Sequence, residues 1–125
     1  MNKPLVLIVL AVGVCFVVFV CSKNRALLKE NGVLTNGRVT NVYPAAKGGI
    51  NIDYEFYNKG KKIKGSEFYI IRNEYMNEFE NKNFPVIYTP NNAGLNRMLI
   101  LKSEFNEFDL QYPDSLKWVI PLQIR

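Results

Sequence analysis

The chain has 125 residues, the length of one domain, and it contains no histidine, which excludes histidine-based triads, proton relays and metal sites. Its two cysteines, Cys15 and Cys21, both lie in an N-terminal apolar run, so neither a cysteine zinc site nor an accessible thiol nucleophile is expected. The formal charge is +5, but residues 1–30 hold four basic and one acidic side chain (+3) and residues 31–125 hold twelve and ten (+2), a near-neutral balance that argues against nucleic acid as the main partner.

Leu5 to Cys21, LVLIVLAVGVCFVVFVC, is a run of 17 uncharged residues. As a helix it measures about 26 Å, just enough to span the hydrocarbon core between Pro4 and Ser22. Three readings stand. Residues 1–22 are an uncleaved transmembrane anchor, favoured because the run exceeds the apolar region of an ordinary signal peptide. Alternatively they are a signal peptide cut after Ser22, with Val20 and Ser22 before the cut, or a lipoprotein leader modified at Cys21. The anchor reading makes the lipid bilayer a partner through residues 5–21. Lys23, Arg25 and Lys29 follow the run, and Lys3 with the α-amine precedes it. This is a slight lean towards a cytoplasmic C-terminal domain. The frequent asparagine, 15 of 125 residues, suits an AT-rich bacterial genome, and a bacterial inner membrane is the expected location.

Residues 23–36 form a polar juxtamembrane linker, in which Asn31-Gly32 stops any extension of the anchor helix. The domain proper is expected over residues 37–101. Gly37 to Tyr43 predicts a first strand, ended by Pro44. Residues 50–57 alternate, with Ile50, Ile52, Tyr54 and Phe56 on one face and Asn51, Asp53, Glu55 and Tyr57 on the other, the pattern of a half-buried strand. A two-residue turn at Lys59-Gly60 places Phe56 opposite Ile63, Glu55 opposite Lys64 and Tyr54 opposite Gly65. Beyond Gly65 the parity fails, because Glu67 points inward. A bulge at Gly65-Ser66 is therefore expected, returning Phe68 and Ile70 to the core. Asn73 caps one short helix with Tyr75, Met76 and Phe79 as its apolar stripe. Strands are expected at Phe84–Thr89 and Met98–Leu101. Residues 102–125 form a C-terminal extension that packs back through Phe105, Phe108 and Leu110. The fold class is mostly β: a transmembrane helix, then a small antiparallel sheet or barrel-like domain with one short helix.

The order NGRVTNVY, INIDYEFYNKGKKIKG, short polar helix, PVIYTPNN and aliphatic Leu99-Ile100 resembles the bacterial family called domain of unknown function 3592. Val86, Tyr88, Pro90 and Asn92 fall on its V-x-Y-x-P-x-N-P-like segment. Ala93 and Asn83 depart from it, where the family often has Pro and Gly. The resemblance covers about residues 36–101. It implies a small β-rich domain at a membrane, with no catalytic residue to carry over.

Candidate sites are few. Pro90, Asn91, Asn92 and Gly94 read as a turn, since Pro ends a strand and Asn tolerates left-handed backbone. Asp53 and Glu55 are an acid pair about 7 Å apart on one strand face, opposite Lys62, Lys64 and Ser66, and are expected to stay solvated. Lys59, Lys61, Lys62 and Lys64 make a basic hairpin tip, a candidate interaction surface for anionic headgroups. With Tyr57, Phe68 and Tyr69 nearby, that tip also has the makings of a base-stacking face. Against both stands the plain reading of a charged, solubilising hairpin. No Gly-rich phosphate loop occurs, and Ser66, Ser103 and Ser115 sit in no nucleophile motif. The sequence reads as a non-enzymatic interaction or accessory module at the membrane, with no cofactor and no metal.

Overall fold

The computed structural model describes residues 24–46 and 48–124. The expected anchor over 1–22, with both cysteines, lies outside the described residues. Among the described residues no helix is long and apolar enough to cross a membrane.

Helix α1, described over 24–31, leads into strand β1 (Val33–Pro44). Strands β2 (Ile50–Asn58), β3 (Lys61–Tyr69), β4 (Asn83–Thr89) and β5 (Asn92–Met98) complete one sheet in the order β3-β2-β1-β4-β5. All the ladders are antiparallel. The two edge strands, β3 and β5, come into contact, so the sheet is nearly closed. β1 makes this possible. Its first half pairs with β4 and its second half with β2. A bulge between Val39 and Asn41 lets it bend from one to the other. Thr40 and Asn41 are both exposed there, while Val39 before the bulge is buried and Val42 after it packs on the core.

The strand expected from Gly37 thus begins four residues earlier, at Val33, and the sheet takes up the end of the linker. The β2–β3 hairpin has the expected register, including Phe56 opposite Ile63 and Tyr54 opposite Gly65. Lys59 and Gly60 have φ of 53° and 78°, the left-handed pair that a two-residue type I′ turn needs.

The bulge expected at Gly65-Ser66 is absent. The ladder runs unbroken to Ile50 opposite Tyr69, and the bulge sits in β1 instead. Phe68 and Ile70 therefore face outward, 49% and 46% exposed, while Tyr69 and Ile71 are buried. Glu67 keeps its inward parity, half-buried, where burial raises its carboxyl and the Arg97 guanidinium partly offsets this.

The core is lined by Ile50, Ile52, Tyr54 and Phe56 from β2, joined by Tyr69, Phe84, Val86 and Met98. A Cβ at Gly65 would stand 2.5 Å from the Tyr54 ring, so the glycine admits that ring. Two buried phenols fasten β2 and β3 to β5. Tyr54 Oη donates to Asn96 Oδ1 at 2.6 Å, and Tyr69 Oη donates to the Met98 carbonyl at 2.7 Å.

More than the one expected helix is present. A 3-10 helix spans Asn73–Phe79, entered through Arg72 with no side-chain cap, so Asn73 is its first residue and not its cap. Phe79 is buried, and Tyr75 and Met76 pack partly on the core. Helix α2 (Lys102–Glu107) and a second 3-10 helix (Asp114–Leu122) follow the sheet. The aliphatic run Leu99–Leu101 is buried, but β5 has already ended at Met98. Phe105, Phe108, Leu116 and Val119 of the tail are buried in the core cluster, and Leu110 is half-buried against it. Trp118 sits 5.3 Å from Phe79, ring centre to ring centre. Ile124 N donates to the Ile70 carbonyl at 2.8 Å, which covers the end of the β3 edge.

Candidate functional site

The register puts the sequence candidates in rows across the outer face of β1, β2 and β3. One row is Arg38, Glu55, Lys64; the next is Asn41, Asp53, Ser66; the third is Tyr43, Asn51, Phe68. Rows two residues apart stand about 7 Å from each other. An open cavity of about 550 Å³ lies over the first two rows, lined by Thr40, Asp53, Glu55, Lys64, Gly65 and Ser66 among others. Its polar groups are pre-arranged. Ser66 Oγ donates to Asp53 Oδ1 at 2.7 Å, Thr40 Oγ1 donates to the Asp53 carbonyl at 3.1 Å, and Lys62 Nζ lies 3.6 Å from Glu55 Oε2. Asp53 and Glu55 are thus the half-buried floor of a face on which Arg38, Lys62 and Lys64 stand beside them.

The four lysines of the hairpin tip are not brought onto one face. Lys62 and Lys64 share the outer face with Glu55, Lys61 has the opposite parity, and Lys59 is in the turn. The aromatic trio is also split, since Tyr57 is 57% exposed and Phe68 is exposed, but Tyr69 is in the core. The Pro90-Asn91 stretch is a hairpin turn, held by Thr89 Oγ1 donating to the Asn92 carbonyl and by Asn58 Nδ2 donating to the Pro90 carbonyl. A second open space, about 430 Å³, separates it from Leu27 and Asn31 of α1.

A further cluster was not expected from the sequence. Where α1, β5 and α2 meet, Arg97 lies 2.8 Å from Glu107 and 3.5 Å from Glu104, and Arg25 of α1 reaches Glu107 at 3.2 Å. Lys29 pairs with Asp109 at 2.9 Å, so α1 is fastened to the domain twice. Glu104 is 5% exposed, and burial pushes its carboxyl up to about 7. Its Oε1 nonetheless accepts the backbone N–H groups of Ile100 and Leu101, closing the start of α2. Burial likewise raises Glu67. For Arg97 burial acts downward, but Glu104, Glu107 and Glu67 outweigh it and hold the guanidinium charged. Among the described residues Arg97 Nε finds no partner. Through Glu104 and Glu107 on one side and Arg97 on the other, the cluster ties α2 to β5. The single sequence trace of it was the inward parity of Glu67. Nothing local marked Arg97 or Glu104, whose partners come from other elements.

Among the described residues no group of three or more Asp, Glu or Cys could hold a metal ion. No family model matches the chain, and no curated protein or solved structure matches it.

Proposed function

We propose that this chain is a single-pass bacterial membrane protein whose β-domain is a non-catalytic interaction module, with the outer face of β1, β2 and β3 as its binding surface. The observation that carries this reading is the open cavity lined by Asp53, Glu55, Lys64 and Ser66. The barrel plan supports it by analogy of fold alone. Five strands in this order, with β3 beside β5 and a helix between β3 and β4, follow the OB plan, a partly open barrel that binds ligands on its second and third strands. The residues 36–101 that resemble the domain of unknown function 3592 family fit the same reading, since that family brings no catalytic residue. Two ion pairs join α1, which follows the apolar run in sequence, to the domain.

Two measurements test the proposal. A photo-cross-linking side chain at position 64 is expected to give a discrete adduct in native membranes, while one at exposed Glu80, away from this face, gives none. Adducts at both positions, or at neither, would remove the face from consideration. The mature N-terminus decides how the domain is held. Met1 with carbonate-resistant membrane retention is expected for the anchor. Lys23 or a lipid-modified Cys21 would replace it with an exported or lipid-anchored envelope protein.

A further inference from the structure

The strand order gathers one end of the barrel. The start of β1, the end of β2, the start of β3 and the end of β4 meet there. Val33 pairs with Tyr88, Asn58 pairs with Lys61, and Asn58 Nδ2 donates to the Pro90 carbonyl at 3.1 Å, joining the two hairpins. Helix α1 runs into this rim, where Gly32 N donates to the Leu28 carbonyl one residue before β1. The rim is apolar where the chain enters it. Leu34 is 53% exposed and Val33 42%, and exposed Leu27 of α1 faces the β4–β5 turn. The β2–β3 tip adds exposed Lys59, Lys61 and Lys62, which share no sheet face but do share this end. Among the described residues Lys59 and Lys61 make no ion pair, while Lys62 pairs with Glu55, beside which Lys64 also stands. On α1, Arg25 and Lys29 are taken by Glu107 and Asp109, and Glu30 is exposed. The opposite end, where β3 leads to β4, carries Glu74, Glu78 and Glu80 against Arg72 and Lys82.

Connectivity selects what meets this rim. The apolar run ends at Cys21, three residues before Asn24, the first described residue of α1. Three residues reach at most about 11 Å, and three more along α1 add about 4.5 Å, so Leu27 is held within about 15 Å of the end of the run. The polar headgroup layer alone is about 5–8 Å deep. Exposed leucine and valine gain by entering that boundary, and lysines beside them meet anionic headgroups. A nucleic acid would satisfy the lysines and leave Leu27, Val33 and Leu34 in water; a bilayer satisfies both. The acidic end, with Glu74, Glu78 and Glu80, then points away from the lipid. We infer that this rim, Leu27, Val33 and Leu34 with Lys59 and Lys61, lies on the anionic surface of the membrane that the apolar run enters. The inference rests on the apolar run being an anchor and is independent of the outer face as a binding surface.

The test uses the full chain carrying Cys15→Ala and Cys21→Ala, reconstituted in vesicles of phosphatidylcholine and phosphatidylglycerol that include a lipid with a nitroxide on its headgroup. A fluorophore is attached through Leu34→Cys or, at the opposite end, through Glu80→Cys. Strong quenching is expected at position 34 and little at position 80. Lys59→Asn with Lys61→Glu, in which asparagine suits the left-handed backbone at 59, should cut quenching at position 34 by about half or more. Vesicles of phosphatidylcholine alone should lower it in the same direction. Circular dichroism melts in detergent check that each variant is folded. Equal quenching at both positions, none at position 34, or no response to either the lysine changes or the loss of anionic lipid would each overturn the inference. Carbonate extraction separates the causes of failure. A chain retained in the vesicles but unquenched at position 34 keeps the anchor and rejects the rim, while a chain washed off rejects both.

Discussion

The outer face of β1–β3 and the seam between α1, β5 and α2 are built from the same residue types and do different work. On the outer face half-buried Glu55 stands between exposed Arg38 and Lys64 and pairs with Lys62 at 3.6 Å, a surface contact that contributes under about 1 kcal/mol. At the seam Glu104 has left water, and half-buried Arg97 stands between it and half-buried Glu107. Carboxylates and cations thus line a cavity in one place and tie α2 to β5 in the other, and the burial of Glu104 sets the seam apart.

Arg97→Met should break the contrast most visibly. It strands Glu104 in the interior, and a loss of about 3 kcal/mol is expected in urea unfolding. Adding Glu104→Gln should recover much of it, with a coupling of about 1 kcal/mol or more. A loss no larger than that of a surface lysine would put both regions on one footing.

The second test is pH. The Glu104 carboxyl is raised from an ordinary 4.5 to about 7, so between those values the folded chain holds a proton that the unfolded chain has released. Its contribution is therefore full below the unfolded value and is lost as pH rises through about 7, by at most about 3 kcal/mol. Melting temperature should fall from pH 5 to pH 8, and Glu104→Gln, which keeps an acceptor for Ile100 and Leu101, should flatten that slope.

Gly65→Ala comes third, because the position joins the two regions: open face on one side, Tyr54 ring on the other. The added methyl meets that ring and Asn96, and about 1–3 kcal/mol should be lost in the same unfolding assay. The smallest effect belongs to Lys64→Ala, within about 0.5 kcal/mol by thermal melt. A larger loss would make the outer face structural as well.

Reading the sequence succeeded where neighbours in space are neighbours in pattern. The alternation from Ile50 to Tyr57 and the Lys59-Gly60 turn placed one hairpin to the residue, because a period of two and a turn type leave a single register. The same method failed at Glu67. Parity alone demanded a bulge there, since an inward carboxylate looks like an error until its cation is known. That cation, Arg97, lies thirty residues on and reaches Glu67 only because β5 closes against β3. The position of the bulge in β1 was hidden for a related reason. It serves the closing of the whole sheet, not any local preference of Val39, Thr40 and Asn41.

What the sequence by itself determined is local and compositional: a β-rich domain behind an apolar run, one hairpin with its register, a Pro-Asn turn, and the absence of histidine chemistry. Hydrophobic periodicity and turn stereochemistry act over a few residues and can be read there. The tertiary structure alone decided that β1 serves two neighbours, that Phe68 faces water and Tyr69 the core, and that Glu104 is buried while Asp53 and Glu55 stay on the outer face. Burial and charge pairing depend on residues far apart in the chain, and only closure of the sheet brings those residues together.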